Sequence, residues 1–262
     1  MAFTEKDFYL DEFHDRTLVL AADRRSLQAA TARRRLRAVV SELTTHGSRV
    51  LVVVGEVRAS RGVSPRRWLG LPLARARRPA GAPASRRRGD TVTWRDDDQD
   101  ATLIELWVTI RVRPSCVVLC DGLAAVPACR IAERLRVHKL VLLDKAGGLR
   151  EPSSRRVISF LDHPTLDVLL EAGEAAFHGL SHRRGLLGEI DRVLEGGVGS
   201  VNLCTVDGLS RELFTYEGSG TLFTRDDYCR VERLSIDDFH EVERLVARGQ
   251  PEGLLKPRSS SE

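Results

Sequence analysis

At 262 residues, with 42% apolar and 30% charged side chains, the chain has an ordinary globular composition and length enough to bury one large core or two small ones. No apolar run approaches a bilayer span, and Met1 to Leu10 lacks the basic-then-apolar pattern of a secretory signal, so neither membrane insertion nor export is expected. Five cysteines (Cys116, Cys120, Cys129, Cys204, Cys229) are an odd number in a chain of this size, which argues against a disulfide framework and for a reducing, cytoplasmic setting.

Thr17 to Ala22 (T-L-V-L-A-A) reads as a short strand. A helix is expected from about Ser26 to His46, with Leu36, Val39, Val40 and Leu43 on one face and Gly47 as its stop. Arg49 to Val54 is a continuous apolar run, as in a parallel strand buried on both faces. The pattern then breaks. From Arg58 to Asp90 there are ten arginines, four prolines and a single acid, a composition that cannot bury enough apolar surface to offset its ordering entropy and reads as a flexible insert. Arginine clusters also neutralise nucleic-acid phosphates, but Trp68 is the one aromatic in the segment, so there is no stacking platform and nucleic acid is not the expected partner.

Beyond the insert the alternation resumes. Asp96, Asp97 and Asp98 open a helix over Ala101 to Val112, followed by a strand (Cys116 to Cys120), a helix (Leu123 to Leu135) and a strand (Lys139 to Leu143). Helices near Pro164 to Ala172 and Gly185 to Leu194 precede a strand at Ser200 to Cys204. Alternation of this kind predicts an α/β fold, doubly wound on a mostly parallel sheet. Ligands of such sheets sit in the loops after the strands. The first of these loops, Ala21-Ala22-Asp23, has no glycine and no lysine, and the second has Gly55 alone. Only Asp144 to Gly148 offers a lysine (Lys145) with glycines (Gly147, Gly148), without P-loop spacing: a weak remnant of a nucleotide loop.

The most informative stretch is Arg211 to Phe223, R-E-L-F-T-Y-E-G-S-G-T-L-F. It takes a helix end (Leu213, Phe214) through a turn with two glycines into a strand. Gly218 and Gly220 permit close backbone approach, and Glu212 sets a carboxylate beside them. A carboxylate beside backbone carbonyls suits a guanidinium or another cationic guest; the same pieces also make a tight structural turn.

Together with F-Y-L-D-E-F-H-D-R-T-L-V-L (Phe8 to Leu20), K-L-V-L-L-D-K-A-G-G-L (Lys139 to Leu149) and the Gly196-Gly197-Val198 turn, this stretch resembles the amino-acid kinase fold, a three-layer sandwich, and within it the N-acetylglutamate synthase and N-acetylglutamate kinase group of arginine biosynthesis. The resemblance runs from about Phe8 to Leu254 apart from the Arg-rich stretch. It implies that E-L-F-T-x-x-G-x-G-T borders an allosteric L-arginine site, with roles for Glu212, Gly218 and Gly220.

The departures from the family are as telling. Its kinases place a lysine and glycines after the first strand to neutralise the transferred phosphate, where this chain has Ala21-Ala22-Asp23. The family's Asn-x-Asp region falls on the apolar Leu123-Ala124-Ala125. The lobe shaping the amino-acid pocket is replaced by the insert. Synthases of the group also lack the lysine. The long N-terminal helix that joins hexamers and helps close the arginine site in some relatives is nearly absent before Phe8.

Arg230 to Val246, continuing to Arg258, resembles the opening strand and helix of the acetyltransferase domain of such synthases, but no Q/R-x-x-G-x-G/A loop for coenzyme A is present. The expected division is therefore an amino-acid kinase-like domain over 1–226, with the insert at 58–90, and a truncated acetyltransferase-like start, a residual strand–helix tail, over 227–262. Two readings follow. One is a non-catalytic or regulatory domain that binds L-arginine or another cationic amino acid, pairs with a separate acetyltransferase subunit and self-associates as the family does. The other is an active synthase or carboxylate kinase, which would require acetyl-CoA or ATP.

The remaining constellations have plain readings. Glu174, His178 and His182 share a helical face but are interrupted by Gly173 and Gly179 and lack a fourth ligand, so no metal is expected there. Cys116, Cys120 and Cys129 lie in apolar runs and read as core thiols. Ser181-His182 lacks the elbow of a catalytic serine.

Overall fold

Apolar runs flanked by helices assemble here, among the described residues, into an eight-stranded sheet with the strands in the order Thr91–Thr93, Ser115–Leu119, Arg49–Gly55, Thr17–Asp23, Lys139–Leu143, Ser200–Cys204, Thr221–Thr224 and Phe160–Asp162. In chain order the elements are α1 (Glu5–Glu12), β1 (Thr17–Asp23), a 3-10 turn (Arg24–Leu27), α2 (Ala30–Thr45), β2 (Arg49–Gly55), β3 (Thr91–Thr93), α3 (Gln99–Val112) and β4 (Ser115–Leu119). There follow α4 (Ala125–Leu135), β5 (Lys139–Leu143), β6 (Phe160–Asp162), α5 (His163–Ala172), α6 (Arg184–Glu195), β7 (Ser200–Cys204), α7 (Leu209–Phe214) and β8 (Thr221–Thr224). The computed structural model describes residues 4–57, 69, 91–151, 153–172 and 183–225. The Arg-rich stretch other than Leu69, the Glu174-His178-His182 constellation and Cys229 lie outside them. The chain divides into two units, Met1–Asp226 and Asp227–Glu262, and the second lies wholly outside the described residues.

The expected α/β sheet is present. Every strand pair is parallel except β7 with β8, because the short α7 turns the chain back beside β7 instead of carrying it across the sheet. Alternate residues of β1 feed two cores. Val19 and Ala21 face α3, α4, α5 and α6, while Leu18, Leu20 and Ala22 face α1, α2 and α7. Both faces are covered, which is why β1, β2 and β5 read as unbroken apolar runs.

Helix boundaries shift for local reasons. The helix expected from Ser26 begins as the 3-10 turn and restarts at Ala30, and the Arg33 guanidinium donates to the Leu27 and Gln28 carbonyls that the break exposes (2.8 and 2.5 Å). Asp98 caps α3, its Oδ1 accepting from Ala101 N at 3.3 Å, as the acidic run suggests. Helix α1 is not anticipated from the sequence; Thr4 and Asp7 form its capping box.

Cys116, Cys120, Cys129 and Cys204 are all buried. Burial pushes the first three thiols up to about 12 and the fourth well above its usual range. In a Cys229→Ser variant, native protein at pH 8 should leave a thiol-specific disulfide reagent unconsumed over minutes, and unfolding in guanidinium should expose the four buried thiols. Fast reaction of the native state would contradict the packing.

Candidate functional site

The strand order reverses between β1 and β5, since the chain leaves β1 toward β2 and later returns to β1's other side. An open cleft of about 280 Å³, counting its mouth, lies there at the carboxyl ends of the strands. Ala21, Ala22 and Asp23 from β1, Leu143 from β5 and Asp144 just after it, and Ala124 before α4 line it. No lysine or arginine occurs among the described residues of that lining; its charged members are the two aspartates.

Both aspartates have structural tasks. Asp23 Oδ1 accepts from Ala124 N at 2.8 Å, which ties the end of β1 to the start of α4. Gly55 makes room for this: a Cβ there would lie 2.4 Å from Ala124 N and from Asp23 Oδ1. Arg25 bridges Asp23 (3.4 Å) to Glu56 (3.0 Å) outside the cleft. Asp144 Oδ1 accepts from Ala146 N at 2.7 Å and from the largely buried Arg183 at 2.9 Å, and Arg183 also donates to the Gly148 carbonyl at 3.2 Å. The Lys145 side chain is exposed on the same loop.

The Arg211 to Phe223 stretch folds as α7, a turn and β8. Glu212 is buried, and its carboxylate organises the turn. Oε2 accepts from the backbone N–H groups of Ser219 and Gly220, each at 2.6 Å, and from Ser219 Oγ at 3.3 Å. Oε1 accepts from Asn202 Nδ2 at 2.5 Å, one bond against a capacity of two. Behind Asn202, the half-buried Lys139 donates to Asn202 Oδ1 at 3.0 Å. Burial lowers the Lys139 ammonium from its ordinary range, and the Glu212 carboxylate opposes that shift. Lys139, Asn202 and Glu212 thus form a one-way chain of donors from cation to anion across β5, β7 and α7.

Gly218 has φ +60, a left-handed conformation that favours glycine, and Gly220 packs so closely that a Cβ would lie 2.2 Å from the Leu203 carbonyl oxygen. The second glycine pair meets the first. A Cβ on Gly148 would be 2.8 Å from the Gly220 carbonyl carbon, Gly147 has φ +71, and Leu149 N donates to the buried Thr221 Oγ1 at 2.8 Å. The loop carrying Lys145, Gly147 and Gly148 and the turn carrying Glu212, Gly218 and Gly220 are therefore one packed unit. Helix α1 borders it: Glu5 accepts from Tyr216 N at 2.5 Å, and Lys6 lies over the Phe214 ring at 5.3 Å.

Sequence reasoning did not single out Asn202 or Lys139. The available signal was a polar residue in each of two apolar strand runs, S-V-N-L-C and K-L-V-L-L.

Comparison with solved structures gives the class. The N-acetylglutamate synthase from Neisseria gonorrhoeae complexed with coenzyme A and L-arginine superimposes with a TM-score of 0.64 at 19% identity, covering 100% of this chain and 72% of that one. The same synthase with coenzyme A and N-acetyl-glutamate gives 0.59 at 20% identity, covering 98% and 70%. The fold is the amino-acid kinase fold.

Among curated proteins, the amino-acid acetyltransferase of Neisseria meningitidis (serogroup A, serotype 4A) is 30% identical over 138 residues. That match takes in 50% of this chain but spans only 29% of the relative's length. No family model matches the chain.

Proposed function

We propose that this chain is an N-acetylglutamate synthase-like protein of arginine biosynthesis whose amino-acid kinase-fold unit is regulatory rather than catalytic: it binds L-arginine and supports glutamate N-acetylation by a partner acetyltransferase. The observation that carries the reading is the pairing of an anionic, glycine-lined turn at Glu212 with a cleft whose charged lining is Asp23 and Asp144. Phosphoryl transfer needs cationic groups aimed at the phosphate; the described lining of the cleft offers none, and Arg25 and Arg183 are committed to Asp23 and Asp144. A guanidinium instead matches the Glu212 carboxylate, whose Oε1 accepts one bond, from Asn202, among the described residues. The Neisseria gonorrhoeae synthase of the same fold is complexed with L-arginine, which supports the ligand class.

The tail over 227–262 is assigned in this reading to the opening of an acetyltransferase domain. L-Arginine at millimolar concentration should raise the unfolding temperature by a few degrees, and L-citrulline, which keeps the shape and lacks the charge, should not. Equal shifts from both, or none from arginine, would remove the proposal.

A second reading, a working member of the group, rests on the cleft's position at the strand reversal. ADP release from ATP with N-acetylglutamate, or thiol release from acetyl-CoA with glutamate, would establish it.

A further inference from the structure

Away from the cleft, α5 and α6 pack against each other and bring together three metal-ligating side chains that the regulatory reading does not use. His163 and Asp167 stand one turn apart on α5, and Asp191 faces them from α6. One donor atom from each lies within 4.8 Å of the other two. His163 Nε2 is 3.0 Å from Asp191 Oδ1, with both side chains about three-quarters buried (22% and 24% exposed). Asp191 Oδ1 is sealed from solvent, with the His163 ring nitrogen within hydrogen-bonding reach.

Two carboxylates held this close repel each other unless a cation or a proton joins them. Arg192, the neighbouring cation in sequence, points elsewhere: it is committed to Glu133 at 2.5 Å and Glu189 at 2.7 Å. The local backbone is also prepared, since Asp162 Oδ1 accepts from Thr165 N at 2.8 Å and fixes the first turn of α5 on which His163 sits.

We infer that His163, Asp167 and Asp191 form a divalent-cation site that clamps α5 to α6. One imidazole and two carboxylates suit zinc or manganese rather than calcium, which takes oxygen donors, or copper(I), which takes sulfur. Three ligands leave coordination positions for water. Helix α6 carries Leu186 to the wall of the cleft, and Arg183, the residue before it, holds Asp144. A cation at this clamp therefore stiffens the support of the cleft without entering it.

The test is a titration of the whole purified chain with Mn2+, which binds oxygen and imidazole donors and does not favour the cysteine thiols. Free Mn2+ is followed by its spin-resonance signal. Wild type should take up one equivalent at micromolar concentration and show nitrogen coupling from an imidazole ligand. Asp167→Asn, at an exposed position that tolerates the change, should weaken binding at least about tenfold, and so should His163→Gln. No uptake by wild type at about 100 µM Mn2+ or Zn2+ would overturn the assignment. Undiminished uptake by Asp167→Asn, or bound Mn2+ without nitrogen coupling, would do the same.

Discussion

Replacing Glu212 with alanine should cost about 3–5 kcal/mol, the largest loss expected of any single polar substitution in the described fold. The change strands the N–H groups of Ser219 and Gly220, leaves Asn202 Nδ2 without its acceptor, and removes the anion that faces the half-buried Lys139. Each stranded donor costs about 1–3 kcal/mol, partly relieved by water entering the space. Glu212→Gln should fall between wild type and alanine. Its amide keeps one acceptor for the turn but presents N–H groups where Asn202 also donates, so Asn202 would have to flip and turn its own N–H groups toward the Lys139 ammonium. Urea denaturation of the three proteins orders them. Equal midpoints for wild type and Glu212→Gln would show that the donor chain from Lys139 contributes little.

Gly220→Ala should be nearly as damaging while touching no charge. Its Cβ would sit 2.2 Å from the Leu203 carbonyl oxygen and 2.7 Å from Cys204 Cβ, both fixed by strand β7. Overlap of that depth moves backbone, at a cost of at least about 3 kcal/mol. Gly218→Ala makes the internal control. It meets Glu212 Oε2 at 3.0 Å and keeps a left-handed backbone at φ +60, for which about 1–2 kcal/mol is expected. The denaturation midpoint of Gly220→Ala should therefore lie clearly below that of Gly218→Ala; the reverse order would mean that conformation, not close approach, governs this turn.

These two residues also mark how far the sequence can be read. β1, β2, β5 and β7 are legible because a strand buried on both faces is mostly apolar, and α2 and α6 because their buried residues recur at helical spacing. α1 is hard to see: its eight residues E-K-D-F-Y-L-D-E bury only Leu10, so its apolar periodicity is faint. β3 and β6 have three residues each and lie at the sheet's edges, too short to show a pattern.

At the site, the sequence singles out Glu212, Gly218 and Gly220 because their spacing is local. It cannot show that Glu212 reaches Asn202, ten residues away, or that Gly148 abuts Gly220, because those contacts depend on which strands lie side by side. The His163, Asp167 and Asp191 cluster is hidden for the same reason, with its third member on another helix.

The proposed function holds only if the cleft does not bind phosphate while the glycine turn binds a cationic amino acid. Calorimetry on one sample of the purified chain tests both halves: Mg·ATP is titrated first, then L-arginine. The account predicts no saturable heat from millimolar Mg·ATP and a saturable signal near one equivalent from L-arginine, absent in Gly220→Ala. Saturable Mg·ATP heat together with silence from L-arginine would contradict it.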